Sequence, residues 1–149
     1  MEENKSATSF KVGGELFAVD TKSVRHILEN IKPTPVPLTK PFVKGIINNH
    51  GTMIPVVDFR TLLGREQDDN LPEQCIVVLG IEENGKEEML GFIVDEMNDV
   101  FEYSTDNFNS DSVLDLSIEV QNAVAGTIKT ADDNFVCLLK APDLAKALL

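Results

Sequence analysis

Four turn signals, set at intervals through a series of short β-prone runs, constrain this chain more than any other feature. Gly13-Gly14 separates residues 9–12 from 15–19, and the stretch from Asn48 to Gly51 separates 42–48 from 52–57. Asn84-Gly85 separates 75–81 from 89–95, and Asp132 to Asn134 separates 120–128 from 135–139. Gly-Gly and Asn-Gly supply the positive φ angles that two-residue hairpins require. Only two short helical patterns interrupt the runs, so the sequence predicts small β-barrels rather than alternating βαβ units. With 149 residues, one domain or two small ones sharing a core can bury roughly 68–70% of the unfolded surface, enough to fold without a metal or a disulfide.

Asp20 is placed to cap a short helix in which Val24, Ile27, Leu28 and Ile31 recur at helical spacing, with His26 on the opposite face. Pro33, Pro35, Pro37 and Pro41 impose an extended path, read as a connecting strand edge rather than a proline-rich ligand. Residues 65–73 are the clearest linker and 104–112 read as loop, while Pro142 suits the first turn of a closing helix.

Charge excludes several functions. The chain carries 25 acids against 13 Lys+Arg, a net charge of −12. Phosphate-backbone binding needs clustered cations that such a chain lacks, so neither nucleic acid nor an anionic membrane is expected as a partner. No apolar run approaches the roughly 18 residues of a membrane helix, and the polar, acidic start does not read as a leader; the expected location is the cytoplasm, with no membrane insertion. The charge is also uneven. Residues 1–65 hold nine bases and six acids, a net +3, whereas residues 66–149 hold four and nineteen, a net −15.

The residue patterns that carry chemistry are absent. His26, His50, Cys75 and Cys137 are isolated, with no metal-ligand spacing, and the acids at 95, 96, 99 and 102 lack the glycine and closing glutamate of a calcium loop. There is no phosphate-binding glycine loop and no nucleophile elbow. Both cysteines sit in apolar runs and read as buried, reduced thiols. Asp58 and Asp95 each follow a Val-rich strand; a proton-sharing dyad is the enzyme reading, and strand-end caps or ion-pair partners the favoured one. No cofactor is expected.

Lys44-Gly45, the Asn48-to-Gly51 turn, Pro55-Val56-Val57-Asp58 with Arg60, Gly91 to Asp95 with Val100 behind it, Ala125-Gly126 and Leu138-Leu139 before a closing helix follow one another in an order that resembles the CheW-like adaptor family of bacterial and archaeal chemotaxis. The resemblance implies a mainly β fold: two intertwined five-stranded SH3-like barrels with short helices. Residues 1–8 would be a flexible N-terminus and 9–149 one domain, its first barrel about 9–66 plus the C-terminal helix and its second about 74–140. It further implies a non-enzymatic adaptor, without cofactor, that couples the cytoplasmic tip of a chemoreceptor (a methyl-accepting chemotaxis protein) to the regulatory domain of a CheA-type histidine kinase, recruited to arrays beneath the membrane. The positions matching the family's receptor groove are Val24, His26, Ile27, Ile46, Asn48, His50, Gly51, Ile93, Val94 and Asp95, with the Val24 helix and the 46–51 turn on the first barrel and 93–100 on the second. Val43, Lys44, Asp58 and Arg60 are the kinase-contact candidates.

Two departures stand out, His26 for the family's usual Glu and His50 for its usual Arg; the closing motif also departs, with Lys140 where Asp is common. Two histidines cannot remake an acid–base pair, so either exposed histidines are tolerated there, or partner binding responds to pH near 6–7, or the module takes a non-standard partner. Outside the adaptor class stand a small-ligand sensor using the groove and a small hydrolase built on Asp58 and Asp95 or on a cysteine.

Overall fold

Every one of the four turn signals closes an antiparallel hairpin in the computed structural model, which describes residues 5–29, 31–37, 43–62, 72–104, 106–109 and 121–148. The chain runs through β1 (Lys5–Val12), β2 (Glu15–Asp20), a three-residue 3-10 turn (Thr21–Ser23), β3 (Val24–Glu29), β4 (Val43–Asn49), β5 (Thr52–Asp58) and the four-residue α1 (Phe59–Leu62). It continues through β6 (Cys75–Glu83), β7 (Lys86–Val94), β8 (Glu96–Tyr103), β9 (Phe108–Asn109), β10 (Val124–Lys129), β11 (Phe135–Leu139) and the helix α2 (Ala141–Leu148). Pro142 lies in the first turn of α2, where its missing N–H costs nothing. The expected linker at 65–73 falls almost wholly outside the described residues.

The fold is mainly β, and its two sheets interleave the chain. One has the order β8-β1-β2-β11-β10-β9 and the other β3-β6-β7-β5-β4. Each therefore combines strands from both sides of the expected linker, which corrects the contiguous division into barrels over 9–66 and 74–140. The reason lies in the pairing. β2 is joined in parallel to β11, and β5 in parallel to β7, so each N-terminal hairpin completes its sheet with C-terminal partners. Ile93 and Val94, expected on a different barrel from Val24 and Ile46, share the second sheet with them. Nor does the described N-terminus behave as a flexible lead. β1 begins at Lys5, Ala7 is fully buried, and Thr8 and Ser6 share hydroxyl hydrogen bonds with Thr21.

Segment 24–29 is a strand, not the predicted helix. Asp20 does cap, but only the 3-10 turn, accepting from the Lys22 N–H. Pairing with β6 from Val24↔Leu79 to Glu29↔Cys75 overrides a weak 3.6-residue pattern in a segment whose β-branched residues are Val24 and Ile27. A bulge between Val24 and His26 shifts the register, and it leaves only Val24 and Leu28 half-buried among exposed neighbours.

Burial has three layers. Ile47, Ile54, Val56, Ile76, Val78 and Ile93 pack on one face of the second sheet, and Ala7, Ala18, Ile128, Val136 and Leu138 on one face of the first. The largest cluster takes residues from both, with Phe10, Phe17 and Leu139 from one sheet meeting Val77, Leu90 and Phe92 from the other. Odd and even positions of β6 are thus both buried, as a strand packed on two faces requires. Phe59 sits at the centre of the shared layer, edge-on to Phe17 at 5.1 Å and to Phe92 at 6.1 Å.

Candidate functional site

The residues flanking Phe59 form an ionic cluster inside the fold. Asp58 ends β5 and Arg60 lies in α1, two residues on, and both side chains are essentially solvent-free. Arg60 grips Asp58 as a fork: Nε donates to Oδ1 at 3.0 Å and Nη2 to Oδ2 at 2.9 Å, while the Arg60 backbone N–H adds a third bond to Oδ1 at 2.9 Å. Such bidentate, charge-assisted contacts are among the strong hydrogen bonds of proteins. Lys44 Nζ stands 4.0 Å from Asp58 Oδ2, partly exposed.

The second aspartate joins through the same guanidinium. Arg60 Nη1 lies 3.6 Å from Asp95 Oδ1, a buried oxygen without a hydrogen bond among the described residues. Asp95 Oδ2 accepts from the Gly13 N–H at 2.8 Å, and the Asp95 N–H donates to the Lys11 carbonyl at 3.0 Å. Asp95 is the single residue between β7, in the second sheet, and β8, in the first. The two aspartates are therefore ion-pair partners of one arginine, as the favoured sequence reading had it. An arginine between the carboxylates supplies the countercharge that a proton would supply in a catalytic dyad.

Burial divides the predicted contact residues. Ile93 and Val94 are buried on β7, the middle strand of its sheet, and Asp58 and Arg60 are buried in the cluster. These four belong to the framework, which corrects their placement as groove or kinase contacts: an occluded side chain cannot touch a partner. Val24, Val43, Lys44 and Ile46 are half-buried, and Asp95 keeps partial exposure. His26, Ile27, Asn48, His50 and Gly51 are exposed.

Those exposed positions lie on the two margins of the second sheet, and the chain itself ties the margins together. After β3 the proline-bearing segment crosses to β4, where Thr34 and Ile46 exchange backbone hydrogen bonds of 2.8 and 2.9 Å. Gly45 is required there, because a Cβ would overlap the Thr34 carbonyl and its φ of 147° suits glycine. Beyond it, His50 and Gly51 take φ angles of 52° and 87° in the turn, and the Gly51 N–H is held by Asn48 Oδ1 at 2.9 Å. Of the exposed large hydrophobics described, Ile27 (46%), Met53 (55%), Ile31 and Val36 belong to this sheet or its connector. Met53 escaped the sequence reading because a strand's outward face looks like core until its partners are known, whereas Ile31 falls on the apolar face of a predicted helix that does not form.

A cavity of about 720 Å³ lies elsewhere, lined by Lys5, Tyr103, Phe108, Leu138, Lys140 and Pro142 among others, and contains none of the predicted residues. Among the described residues no group of three or more His, Cys, Asp or Glu could hold a metal, and no helix is long and apolar enough to cross a membrane.

Comparison with known proteins supports a single family. The model of the CheW-like domain matches residues 6–148. A chemotaxis protein CheW from Rhizobium meliloti is 26% identical over 132 residues, 89% of this chain and 81% of that protein. Its counterpart from Thermotoga maritima is 30% identical over 107 residues, 72% of this chain and 68% of the relative. The crystal structure of scaffolding protein TtCheW from Thermoanaerobacter tengcongensis superposes with a TM-score of 0.79 at 26% identity, covering 93% of this chain and 90% of that one.

Proposed function

The chain belongs to the CheW-like domain family, and from that membership we propose that it is a non-enzymatic adaptor, coupling the cytoplasmic tips of chemoreceptors to the regulatory domain of a CheA-type histidine kinase. The observation that carries the proposal is the match over residues 6–148, which takes in every strand described, save Lys5 at the start of β1, and both helices. The superposable protein, TtCheW, is a scaffolding protein. The geometry supports the reading in two ways. The paired aspartates are consumed by an internal ion pair rather than presented to a substrate, and half-exposed aliphatics with charged neighbours give the anchors and orienting groups of a protein interface.

On this proposal the exposed residues Ile27, His26, Asn48, His50 and Gly51 meet the receptor tip, and Val43 and Lys44 meet the kinase. The protein would act in the cytoplasm, held at membrane-associated arrays through its partners. Calorimetric titration of the purified protein with a receptor cytoplasmic fragment and, separately, with a CheA regulatory domain tests it. Saturable binding to both is expected. Binding to neither would refute the coupling role and leave the second reading, a CheW-like module with a non-standard partner, which the exposure of both His26 and His50 favours.

A further inference from the structure

The apolar layer between the two sheets explains why they stay together but not why they hold one orientation, because hydrophobic attraction is non-directional. Directional contacts across that layer are concentrated at Arg60. Its fork on Asp58 is anchored at the end of β5 in the second sheet. Its third contact, 3.6 Å to Asp95, reaches the residue at which the chain passes into the first sheet. Asp95 in turn holds the β1–β2 turn through the Gly13 N–H and the Lys11 carbonyl. One guanidinium thus links the end of β5 to the crossover residue, which itself holds a hairpin of the other sheet, and it supplies countercharge to both carboxylates, with Lys44 4.0 Å from Asp58 as a second cation.

We propose that Arg60 is a positioning residue that fixes the angle between the two sheets, and with it the relative placement of the protein's partner-binding surfaces. Buried polar groups that select one arrangement among several compact ones are known, although ion pairs add little net stability over apolar packing. The two contacts differ in kind. The Asp58 fork is short and complete, whereas the Asp95 contact is too long for a hydrogen bond. The orientation is therefore set tightly on the second sheet and with some play on the first. The consequence for partner placement rests on the adaptor reading; the orientation itself does not.

Pulsed electron-spin distance measurement tests the proposal without any partner. Spin labels go on Met53→Cys in β5 and Lys129→Cys in β10, both exposed and on different sheets. The native thiols Cys75 and Cys137 are buried with their ionisation pushed up to about 11 and about 12, and they do not compete for the label. The parent protein should give a single narrow distance. Arg60→Lys, which keeps the charge and loses the fork, should lose that narrow maximum, and Asp95→Asn, which keeps an acceptor for Gly13, should broaden it less. Because Arg60→Gln removes the cation that both carboxylates share and can fail to fold, the triple variant Asp58→Asn/Arg60→Gln/Asp95→Asn removes all three of these charges, leaving the partly exposed Lys44 as the nearby cation, and it should fold cooperatively with a broadened distribution. A parent-like narrow distance in a folded Arg60→Lys or triple variant would overturn the proposal. So would loss of cooperative folding in all the variants, since the cluster would then hold the fold rather than its orientation. A parent protein that binds neither receptor nor kinase would defeat the adaptor reading and leave this measurement standing.

Discussion

Burial acts on individual residues here in ways that solution chemistry can read. Desolvation pushes the Cys75 thiol from 9.0 up to about 11, with Glu29 and Glu73 adding to it, and the Cys137 thiol up to about 12, with Glu15 adding. A raised folded-state value means that the unfolded chain releases its thiol protons first. Stability should therefore be unaffected by these groups below pH 9 and should fall between pH 9 and about 11–12. Urea midpoints measured across that window should drop, and a Cys75→Ala/Cys137→Ala variant should show a shallower drop; an equal slope would refute the assignment. Histidine is the second residue-level lever. His26 and His50 are both exposed. If they line the receptor surface, His26→Ala/His50→Ala should weaken calorimetric affinity for a receptor fragment, and unchanged affinity would remove both from that surface. At this scale the sequence shows residue types and not their burial: Asp58 and Asp95 are recognisable as ion-pair partners from strand-end placement, whereas Arg60 as the cation they share, and the depth of all three, depend on how α1 packs around Phe59 in the layer between sheets. The part played by Gly13 leaves no local mark, because a backbone N–H has no residue type to betray it.

Elements carry the information that single residues cannot. The hairpins were legible because each is local: Asn84 and Gly85 need only their own φ angles of 54° and 78° to reverse the chain. The strand over 24–29 was not, since its identity is set by β6, about 50 residues away. Bulges are equally non-local. Ser9, fully buried, faces the extra residue of β8, donating to the Asp99 carbonyl at 2.7 Å while accepting from the Asp99 N–H at 3.0 Å and from Asn98. Its hydroxyl replaces ladder bonds that the register shift between Thr8 and Phe10 removes. Glycines separate conformational from contact requirements. Gly51 has an open surrounding and a φ of 87°, so Gly51→Ala should cost only the left-handed strain, about 1–2 kcal/mol. Gly45 combines unusual φ with the close Thr34 backbone, so Gly45→Ala should cost more, about 3 kcal/mol or above, by also breaking the bridge to Ile46. Denaturant midpoints of the two variants check the order; equal losses would mean that the Thr34 contact is inconsequential.

For the molecule as a whole, interleaving matters more than strand count. The unevenness of charge along the chain, +3 before residue 66 and −15 after it, would have made two oppositely charged lobes if each half folded by itself. It does not, because β1 and β2 join β8, β10 and β11 in one sheet while β3, β4 and β5 join β6 and β7 in the other. Polarity in sequence is thus not polarity between sheets, and binding steered by such an axis is not expected. The same topology determines how the protein should unfold. Neither half contains a complete sheet, and the largest apolar cluster draws on both, so no part can shed its partners without exposing core. Tryptophan is absent and Tyr103 is the only tyrosine, so far-ultraviolet dichroism and the Tyr103 signal serve as independent probes, and their thermal transitions should coincide. Fragments 1–62 and 72–149, prepared separately, should each be largely unfolded and should recover structure on mixing, because the parallel joins β2–β11 and β5–β7 both cross the cut. A fragment that folds alone, or two separated transitions in the intact chain, would show that the sheets are independent units, and an orientation fixed from within would then have nothing to act through.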